Sequence, residues 1–251
     1  MYKRLRFAVR PLADVLADIR AAHDLYDDYV RTAFIGDSDA LVLPPDDLVR
    51  VLDALYATFP LLERVTCYAR ARTLLKRRPA DLRRLREAGL VRVHVGLESG
   101  DDAVLRAVDK GITAEEVVAA GLKAKEAGFS LCLYVILGLG GSVRSQSHAA
   151  VTAAALGRVD PHFVRLRTLW FEPEAPLAEL WRRTGYEPAS AAELLREART
   201  LLANLAGITS QLESDHVSNL LPLRGRFPEA RGRLLAMLDE ALGSLESESG
   251  D

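Results

Sequence analysis

The sequence has 251 residues, of which 49% are hydrophobic, so it can bury one sizeable core and suits a single barrel of strand–helix units. Its formal net charge of −2 gives no basic field for nucleic acid, and no apolar run reaches membrane length. We therefore expect a cytoplasmic protein without a membrane partner. The arginine-rich segment Arg70–Arg86 fits a solvated helix face better than a nucleic-acid surface, because no aromatic residues interleave with it.

Five apolar runs, each preceded by an amphipathic segment, predict parallel strands separated by helices. The predicted strands are Thr32–Gly36, Arg64–Tyr68, Val91–Gly96, Phe129–Gly138 and His162–Leu169. The helices that precede them are Leu12–Leu25, Pro45–Phe59, Pro79–Gly89, Thr113–Gly128 and Ser145–Leu156. One strand and one helix recur about every 30 residues, which is typical of βαβ construction. We predict an α/β protein.

Residues at the predicted helix ends support these boundaries. The segment Pro44–Asp47 places proline and acids at a helix start, where the backbone amides favour negative charge. Thr113 and Glu116 fit a capping box. Gly89 and Gly128 each end a helix before a strand, where a left-handed residue is needed.

The segment Val91–Asp102 predicts a strand that carries an acid to its carboxyl end just before a helix begins. Strand side chains alternate, so one face is apolar and the other bears Arg92, His94, Gly96 and Glu98. An antiparallel sheet facing water would alternate in the same way, but the helices predicted next place this strand in a βα unit. In such a unit the polar face points into a barrel or across a sheet, so these side chains indicate a site.

The other strand ends hold the remaining candidates, because ligands of parallel α/β folds bind in the loops that follow the strands. These ends read Gly36–Asp39, Tyr68 with Arg70, Glu98–Gly100, Gly138–Gly141 and Arg165–Leu169. The glycines at 138–141 permit a ligand to approach the backbone closely, although a simple turn explains them almost as well.

Arg165 and Arg167 share one face of the last predicted strand. Buried guanidinium groups need anionic partners. The acids expected at the same end are Asp37, Asp39, Glu98 and Glu172. A structural network of ion pairs and a pocket for a carboxylate-bearing ligand both fit this pattern.

The two cysteines, Cys67 and Cys132, fall inside separate predicted strands. We interpret them as small buried hydrophobic residues, since a cluster or a structural zinc needs three or four ligands. The five histidines show neither an H-E-x-x-H motif nor a pair at i, i+4. We therefore expect no complete metal site in this chain.

Four segments taken together resemble the successive strand ends of radical S-adenosylmethionine (radical SAM) proteins. They are Phe34–Pro44, Gly96–Asp102, Leu137–Gly141 and Val164–Leu169. The sequence is most similar to the bacterial branch near elongator protein 3 and oxygen-independent coproporphyrinogen oxidase. The likeness extends from Met1 to about Leu242 and includes Ser214–Arg226. It implies a partial (β/α) barrel over residues 1–186 with about five of six strands. The predicted helices that follow indicate a C-terminal helical extension over 187–246, and the acidic, serine-rich composition of residues 247–251 predicts a disordered tail.

The resemblance implies a site for S-adenosylmethionine (SAM) at these strand ends. Gly36, Asp37 and Ser38 stand where the family's Gly-Gly-Glu-like motif holds the amino group of the SAM methionine, and Asp37 departs from that motif in residue type. Tyr68 and Arg70 stand where the family often places side chains that bind the ribose or the carboxylate.

The following strands complete the implied site. Glu98 occupies the position that commonly meets the ribose or the methionine moiety. Tyr134 and Gly138 lie on the strand whose glycine-containing end approaches the adenine. Either Arg165 or Arg167 is expected to pair with the SAM carboxylate or with a substrate anion.

The C-terminal part carries further candidates for contact with substrate. The helices predicted here are Ala191–Leu205 and Pro228–Leu245. In the polar loop between them, His216, Asn219 and Arg224 either pin the loop or reach a substrate at the barrel mouth. Trp170 either forms the floor of a substrate pocket or packs under Trp181.

One family motif has no counterpart in the sequence. Radical SAM proteins carry C-x3-C-x2-C after their first strand, and its three thiolates bind a [4Fe–4S] cluster whose fourth iron chelates SAM and supplies the electron that cleaves it. Family sequences just after this motif often resemble Met1–Phe7, so we expect Met1 to be an internal methionine of the family pattern. The family's first strand would then be missing from this sequence, and the predicted strand Thr32–Gly36 would lack its neighbour on that side. Such an open edge favours low solubility or dimerisation.

Three functions remain open. The leading expectation is reductive cleavage of SAM to a 5′-deoxyadenosyl radical that acts on an unknown substrate, with a reductase or flavodoxin-type electron donor. The second is a non-catalytic partial barrel that binds SAM or a partner. The third is an aldolase-like or phosphate-binding enzyme. A Schiff-base lysine would support the third, but no lysine lies in a predicted strand.

Overall fold

The computed structural model describes residues 8–26, 29–170, 179 and 186–248. The strands are β1 Thr32–Ile35, β2 Arg64–Tyr68, β3 Leu90–Glu98, β4 Ser130–Leu137, β5 Phe163–Thr168, β6 Gln211–Ser214 and β7 Leu223–Arg226. The α-helices are α1 Leu12–Tyr26, α2 Pro45–Thr58, α3 Ala71–Lys76, α4 Pro79–Glu87, α5 Asp102–Ala107, α6 Ala114–Glu126, α7 Gly141–Val159, α8 Ala191–Asn204 and α9 Arg231–Glu248.

The strands form one sheet in sequence order, from β1 to β7. The pairs β1–β2, β2–β3, β4–β5 and β5–β6 are parallel, and β7 runs antiparallel to β6. Helices alternate with the first five strands, as the strand–helix repeat requires. The predicted α/β class and all five predicted strands are confirmed.

The C-terminal extension is not entirely helical, which corrects the sequence prediction. After α8 the chain adds β6 to the sheet beside β5 and returns as β7, with Leu212 paired to Gly225. These strands are four residues long, too short for their alternation to stand out in the sequence. The helix α3 was not predicted either, because six residues are too few to show a helical periodicity.

The chain divides into two compact units, and β3 passes from one into the other. The first unit comprises the residues up to His94 together with Lys123–Ser130. The second comprises Val95–Leu122 and the residues from Leu131 onward. The domain boundaries predicted from the sequence, at residues 186 and 246, therefore stay predictions.

The core of the first unit lies between β1–β3 and the helices α2 and α4. Val65, Cys67 and Val93 point from the strands into this core, and Leu52 and Leu82 fill it from the helices. Burying one such side chain contributes about 2 kcal/mol relative to leaving it in water. The amphipathic pattern of α2 therefore accounts for its position against the sheet.

The core of the second unit follows the same alternation. Leu133 and Val135 on β4 and Val164 and Leu166 on β5 are fully buried, and the residues between them are polar, aromatic or half-buried. Helix α8 packs against both α7 and α9. The sheet thus has an apolar face under helices and a second face available for polar side chains, as the sequence predicts.

The predicted boundary signals are present. The side chain of Glu116 accepts a hydrogen bond from the Thr113 amide at 2.8 Å, and the Thr113 hydroxyl accepts one from the Glu116 amide at 3.2 Å. Gly89 and Gly128 have φ angles of 99° and 87°, the left-handed region expected after a helix. Pro45 begins α2.

The ends of the chain carry the remaining predictions. Within the described residues β1 pairs with β2 alone, so it forms an edge of the sheet, while the self-association expected there stays a prediction. Helix α9 continues to Glu248, so residues 247 and 248 are helical where the sequence predicts the start of a tail. Residues 249–251 and Met1–Phe7 lie outside the described residues. No helix in the described ranges is long and apolar enough to cross a membrane.

Candidate functional site

The end of β1 in the first unit places an acid in a strained backbone position. Asp37 has a φ of 62°, which a non-glycine residue rarely adopts, and its side chain is exposed. Gly36 is exposed and Ser38 is half-buried beside it. This is the position at which the sequence predicts the binding of an amino group.

The adjoining loop is held together by Asp39. Its carboxylate accepts hydrogen bonds from the Arg70 amide at 3.2 Å and from the Thr73 hydroxyl at 2.5 Å. These bonds tie the loop after β1 to the start of α3, which follows β2. The Arg70 side chain is exposed at this junction.

Three aromatic rings lie together on the polar face of β1–β3. Phe34 is 4.7 Å from Tyr68 and 5.1 Å from His94, measured between ring centroids. His94 is buried, whereas Phe34 and Tyr68 are each more than one-third exposed. Tyr68 is thus partly exposed at the strand end, where the sequence predicts a ligand-binding side chain.

Glu98 ends β3 in the second unit with the same backbone strain as Asp37. Its φ is 62°, and its carboxylate accepts a hydrogen bond from Lys110 at 2.8 Å while remaining 18% exposed. The side chain folds back over Gly96, where a β-carbon would come within 2.0 Å of the Glu98 Oε1 atom. Glycine at 96 is therefore required for this orientation of the carboxylate.

Behind Glu98 lies a buried polar network, formed by Ser99, Ser145, His148, Glu197 and the amide of Gly138. The Ser99 hydroxyl is 2.7 Å from the His148 Nδ1 atom, and the His148 Nε2 atom is 3.4 Å from the Glu197 Oε1 atom. Glu197 accepts hydrogen bonds from the Gly138 amide at 2.7 Å and from the Ser145 hydroxyl at 2.6 Å. The network joins the ends of β3 and β4 to α7 and α8.

Burial sets the charge state of this network. It raises the pKa of Glu197 to about 7, an effect that the hydrogen bonds from Ser145 and Gly138 only partly oppose. Burial also lowers the pKa of His148 to about 4. Both shifts favour the uncharged form of the side chain.

The start of α5 is fixed to α7 by an ion pair. The Asp101 carboxylate accepts two hydrogen bonds from Arg144, at 2.6 and 3.0 Å, and one from the Ala103 amide at 2.9 Å. Burial alone would raise the pKa of Asp101, but Arg144 and the amide outweigh it and hold that pKa below its usual value. This ion pair stabilises the loop that follows Glu98.

The turn formed by residues 138–141, named the glycine turn below, follows β4. Gly138 has a φ of 79°, and a β-carbon there would lie 2.7 Å from the Leu194 Cδ2 atom on α8. The Tyr186 hydroxyl donates a hydrogen bond to the Leu139 carbonyl at 2.8 Å. The Ser142 amide donates to the Glu187 carbonyl at 3.1 Å. Residues just before α8 thus cover this turn.

The partners of Arg165 and Arg167 differ from those expected. Arg165 pairs with Glu213 at 2.6 Å, and Arg167 lies 3.6 Å from Asp215 and 5.4 Å from the centre of the Tyr134 ring. Of the expected acids, Asp39 bonds to Thr73, Glu98 pairs with Lys110 and Glu172 lies outside the described residues. The strand β6 was not predicted from the sequence, so Glu213 was not considered. Register explains the pair Arg165–Glu213, because these two residues are direct cross-strand neighbours.

The predicted substrate contacts lie around the ends of β5 and β6. Asn219 donates a hydrogen bond to the Leu166 carbonyl at 3.0 Å and accepts one from the Thr168 hydroxyl at 3.1 Å. His216 lies 2.8 Å from the Ser218 hydroxyl, and Trp170 is largely exposed. The Asn219 bonds support its loop-pinning interpretation. The proposed packing partner of Trp170, Trp181, lies outside the described residues.

The cysteines do not fit a cluster site. Cys67 and Cys132 lie inside β2 and β4 and are fully buried, and burial raises the pKa of the Cys67 thiol. A radical SAM cluster takes three thiolates, and the sequence has two cysteines in all. Among the described residues no group of three or more histidine, cysteine and acidic side chains is placed to hold a metal ion.

Comparison with protein families identifies the fold. The sequence matches the profile of the Radical SAM superfamily over residues 2–149, which is more than half of the chain. The chain belongs to the radical SAM superfamily. No curated protein matches it in sequence.

Solved structures of other proteins share the fold, among them one described as a radical SAM enzyme. Coproporphyrinogen III oxidase (HemN) from Escherichia coli is 17% identical with a TM-score of 0.60, over 80% of this chain and 48% of that one. Elp3 from Methanocaldococcus infernus, lacking residues 1–46, is 13% identical with a TM-score of 0.62, over 93% and 59%. Methylornithine synthase (PylB) is 14% identical with a TM-score of 0.54, over 98% and 80%. This radical SAM chain therefore spans about half of the first two structures.

The buried polar network of this radical SAM protein was not predicted from the sequence. Ser145 and His148 are three residues apart on one face of α7, and Glu197 adjoins the buried residues Leu195, Ala198 and Leu201 on α8. An acid on the buried stripe of an amphipathic helix is a detectable signal, because such a residue needs a polar partner in the core.

Proposed function

We propose that this radical SAM chain binds SAM at the carboxyl ends of its parallel strands. The methionine amino group binds at Gly36, Asp37 and Ser38. The ribose or the carboxylate binds at Tyr68 and Arg70. In the second unit, Glu98 meets the ribose or the methionine, and Gly138 with Tyr134 meets the adenine. Arg165 or Arg167 meets an anionic group.

The observation that carries the proposal is the placement of Glu98. This side chain is held in a left-handed conformation at a strand end, over a glycine that admits it, and it keeps part of its surface open to solvent. Strained non-glycine residues are found disproportionately at functional sites, because the surrounding structure must stabilise them. A carboxylate in this position is suited to accept hydrogen bonds from ribose hydroxyls or from an ammonium group.

The whole reaction needs more than the present residues supply. In this family the [4Fe–4S] cluster supplies the electron that cleaves SAM, so an active form of this protein would also need an electron donor of the reductase or flavodoxin type. The two buried cysteines favour a chain that binds SAM without holding its own cluster. The candidate contacts for a substrate are Trp170, His216 and Asn219.

Calorimetric titration of SAM into the purified chain and into the Glu98→Gln variant tests the proposal. We expect the wild-type chain to bind SAM and the variant to bind about fivefold to tenfold more weakly. The reason is that glutamine keeps a neutral acceptor, whose hydrogen bond contributes about 0.5–1.5 kcal/mol, in place of a charged acceptor, whose bond contributes about 1.5–3 kcal/mol, and 1.4 kcal/mol corresponds to a tenfold change.

The matched control is Glu115→Gln, which removes an exposed carboxylate that pairs with Arg158 at the surface. It should leave the affinity for SAM unchanged. Equal affinities for the wild type and for Glu98→Gln would remove Glu98 from the site, and an absence of binding by the wild-type chain would refute the proposed function.

A further inference from the structure

Glu197 stands out as a carboxylate placed in an apolar interior. It lies on α8, in the C-terminal extension, and none of its surface is exposed. Its neighbours on the same helix, Leu201 and Leu202, are buried apolar residues. A buried carboxyl group is costly unless hydrogen bonds satisfy it, so the two bonds that it accepts define its role.

One of these bonds goes to the backbone of the glycine turn. The Gly138 amide donates to the Glu197 Oε1 atom at 2.7 Å, while the Ser145 hydroxyl donates to the Oε2 atom at 2.6 Å. The first bond fixes the residue that follows β4 at a positive φ. The second fixes the first turns of α7, which begins at Gly141, the last residue of the glycine turn.

The same part of the chain holds the glycine turn at further points. Tyr186 binds the Leu139 carbonyl, the Glu187 carbonyl accepts from Ser142, and Leu194 occupies the space above Gly138. Residues 186–197 therefore form a support for this turn, and Glu197 is its buried polar contact.

The network also reaches the residue after Glu98. His148 lies between Glu197 and Ser99, and the Ser99 hydroxyl accepts a hydrogen bond from the Asp101 amide at 2.9 Å. The same buried side chains therefore contact both the loop after β3 and the turn after β4.

We propose that Glu197 is a positioning residue for SAM: its hydrogen bond to the Gly138 amide holds the glycine turn in the conformation that receives the adenine. This inference rests on the proposed function. It extends the SAM site to a side chain of the C-terminal extension that does not itself touch the ligand.

Two substitutions at Glu197 separate the hydrogen bond from the charge. In Glu197→Gln the amide oxygen still accepts from Gly138, and the Ser145 hydroxyl can accept from the new amide group. We expect its affinity for SAM to stay within about threefold of the wild type. Glu197→Leu leaves the Gly138 amide buried without an acceptor, and we expect affinity to fall at least about tenfold.

The matched control for a merely structural effect is Leu201→Ala. This change removes core packing from the same helix but leaves the Glu197–Gly138 bond in place. Affinities are measured by titration with SAM at a temperature where each variant is folded. The proposal requires Leu201→Ala to keep its affinity. Equal losses in Leu201→Ala and Glu197→Leu, or a loss in Glu197→Gln as large as that in Glu197→Leu, overturn it.

Amide hydrogen exchange of the wild-type chain without SAM tests the geometry independently of ligand binding and of how the leucine variant folds. The Gly138 amide should exchange as slowly as the amides inside β4, such as that of Leu133. Rapid exchange at Gly138 overturns the positioning role. If Gly138 is protected but the wild-type chain does not bind SAM, the proposed function fails while the support of the turn stands.

Discussion

Two buried side chains in one network have pKa values shifted in opposite directions. Glu197 has a raised pKa of about 7, so its contribution to stability is fully present below its unfolded value of 4.5 and is lost as the pH rises through about 7. His148 has a lowered pKa of about 4, so its contribution is present above 6.5 and is lost as the pH falls through about 4. The two pH dependences oppose each other in the wild-type protein.

Replacing Glu197 with glutamine should reveal how much Glu197 contributes to the pH dependence of the free energy of unfolding. The free energy of unfolding of Glu197→Gln relative to wild type should rise between pH 4.5 and pH 7, by about 1–3 kcal/mol, because the wild-type carboxyl group ionises in the unfolded chain over this range but is held protonated in the fold. Urea denaturation of both proteins at several pH values across this range measures the difference.

The surface variant Glu115→Gln provides the control for sign. Arg158 lowers the pKa of Glu115, so that variant should lose rather than gain relative stability as the pH rises. If the Glu197→Gln difference also declined with rising pH, Glu197 would be ionised at neutral pH and paired with a protonated His148.

At the residue scale the sequence predicts what a strand end presents, but not what supports it from behind. Glu98 and Gly138 are predictable because the chain places them directly after apolar runs. Glu197 approaches Gly138 from 59 positions away, and only the packing of α8 against α7 brings the two together. The proposed roles of the strand-end residues toward SAM stay predictions until binding is measured.

The elements follow from local signals where these are long and regular. The strand–helix repeat predicts β1–β5 and their helices because alternation and helical periodicity extend over several turns or residue pairs. The strands β6 and β7 owe their existence to pairing with β5 and with each other, a tertiary cause that a four-residue segment does not reveal. That omission also hid the acid partners of Arg165 and Arg167.

The start of α8 offers a test at the scale of one element. The Ser190 hydroxyl accepts from the Glu193 amide at 3.3 Å, and the Glu193 carboxylate accepts from the Ser190 amide at 2.7 Å. Ser190→Ala should lower the free energy of unfolding by about 1 kcal/mol, as measured by urea denaturation, because it removes one half of this capping box.

The affinity of Ser190→Ala for SAM should be unchanged, since Glu197 lies about two helical turns further along α8. Ser244→Ala serves as the control, because Ser244 is exposed within α9 and bonds only to its own helix in the described contacts. A Ser190→Ala variant as stable as wild type would mean that the helix start contributes nothing to stability.

On the scale of the whole molecule, the chain combines a radical SAM match over residues 2–149 with a C-terminal part that completes the sheet and supports the glycine turn. The network on Glu197 shows that residues beyond that match belong to the same structural unit as β4. The proposed SAM site therefore depends on both parts of the chain. Binding of a cluster depends instead on the number of thiolates that the chain can supply.

The thiol inventory of the whole chain predicts the outcome of cluster reconstitution. Cys67 and Cys132 lie one in each unit, fully buried within strands, and they cannot supply the three thiolates that a radical SAM cluster needs. Anaerobic treatment of this chain with ferrous iron and sulfide should therefore give only background iron after desalting. The double variant Cys67→Ala/Cys132→Ala should give the same iron content. A stoichiometric cluster in the wild type that the double variant lacks would show that strands β2 and β4 open to expose their thiols, and would contradict the buried placement of both cysteines.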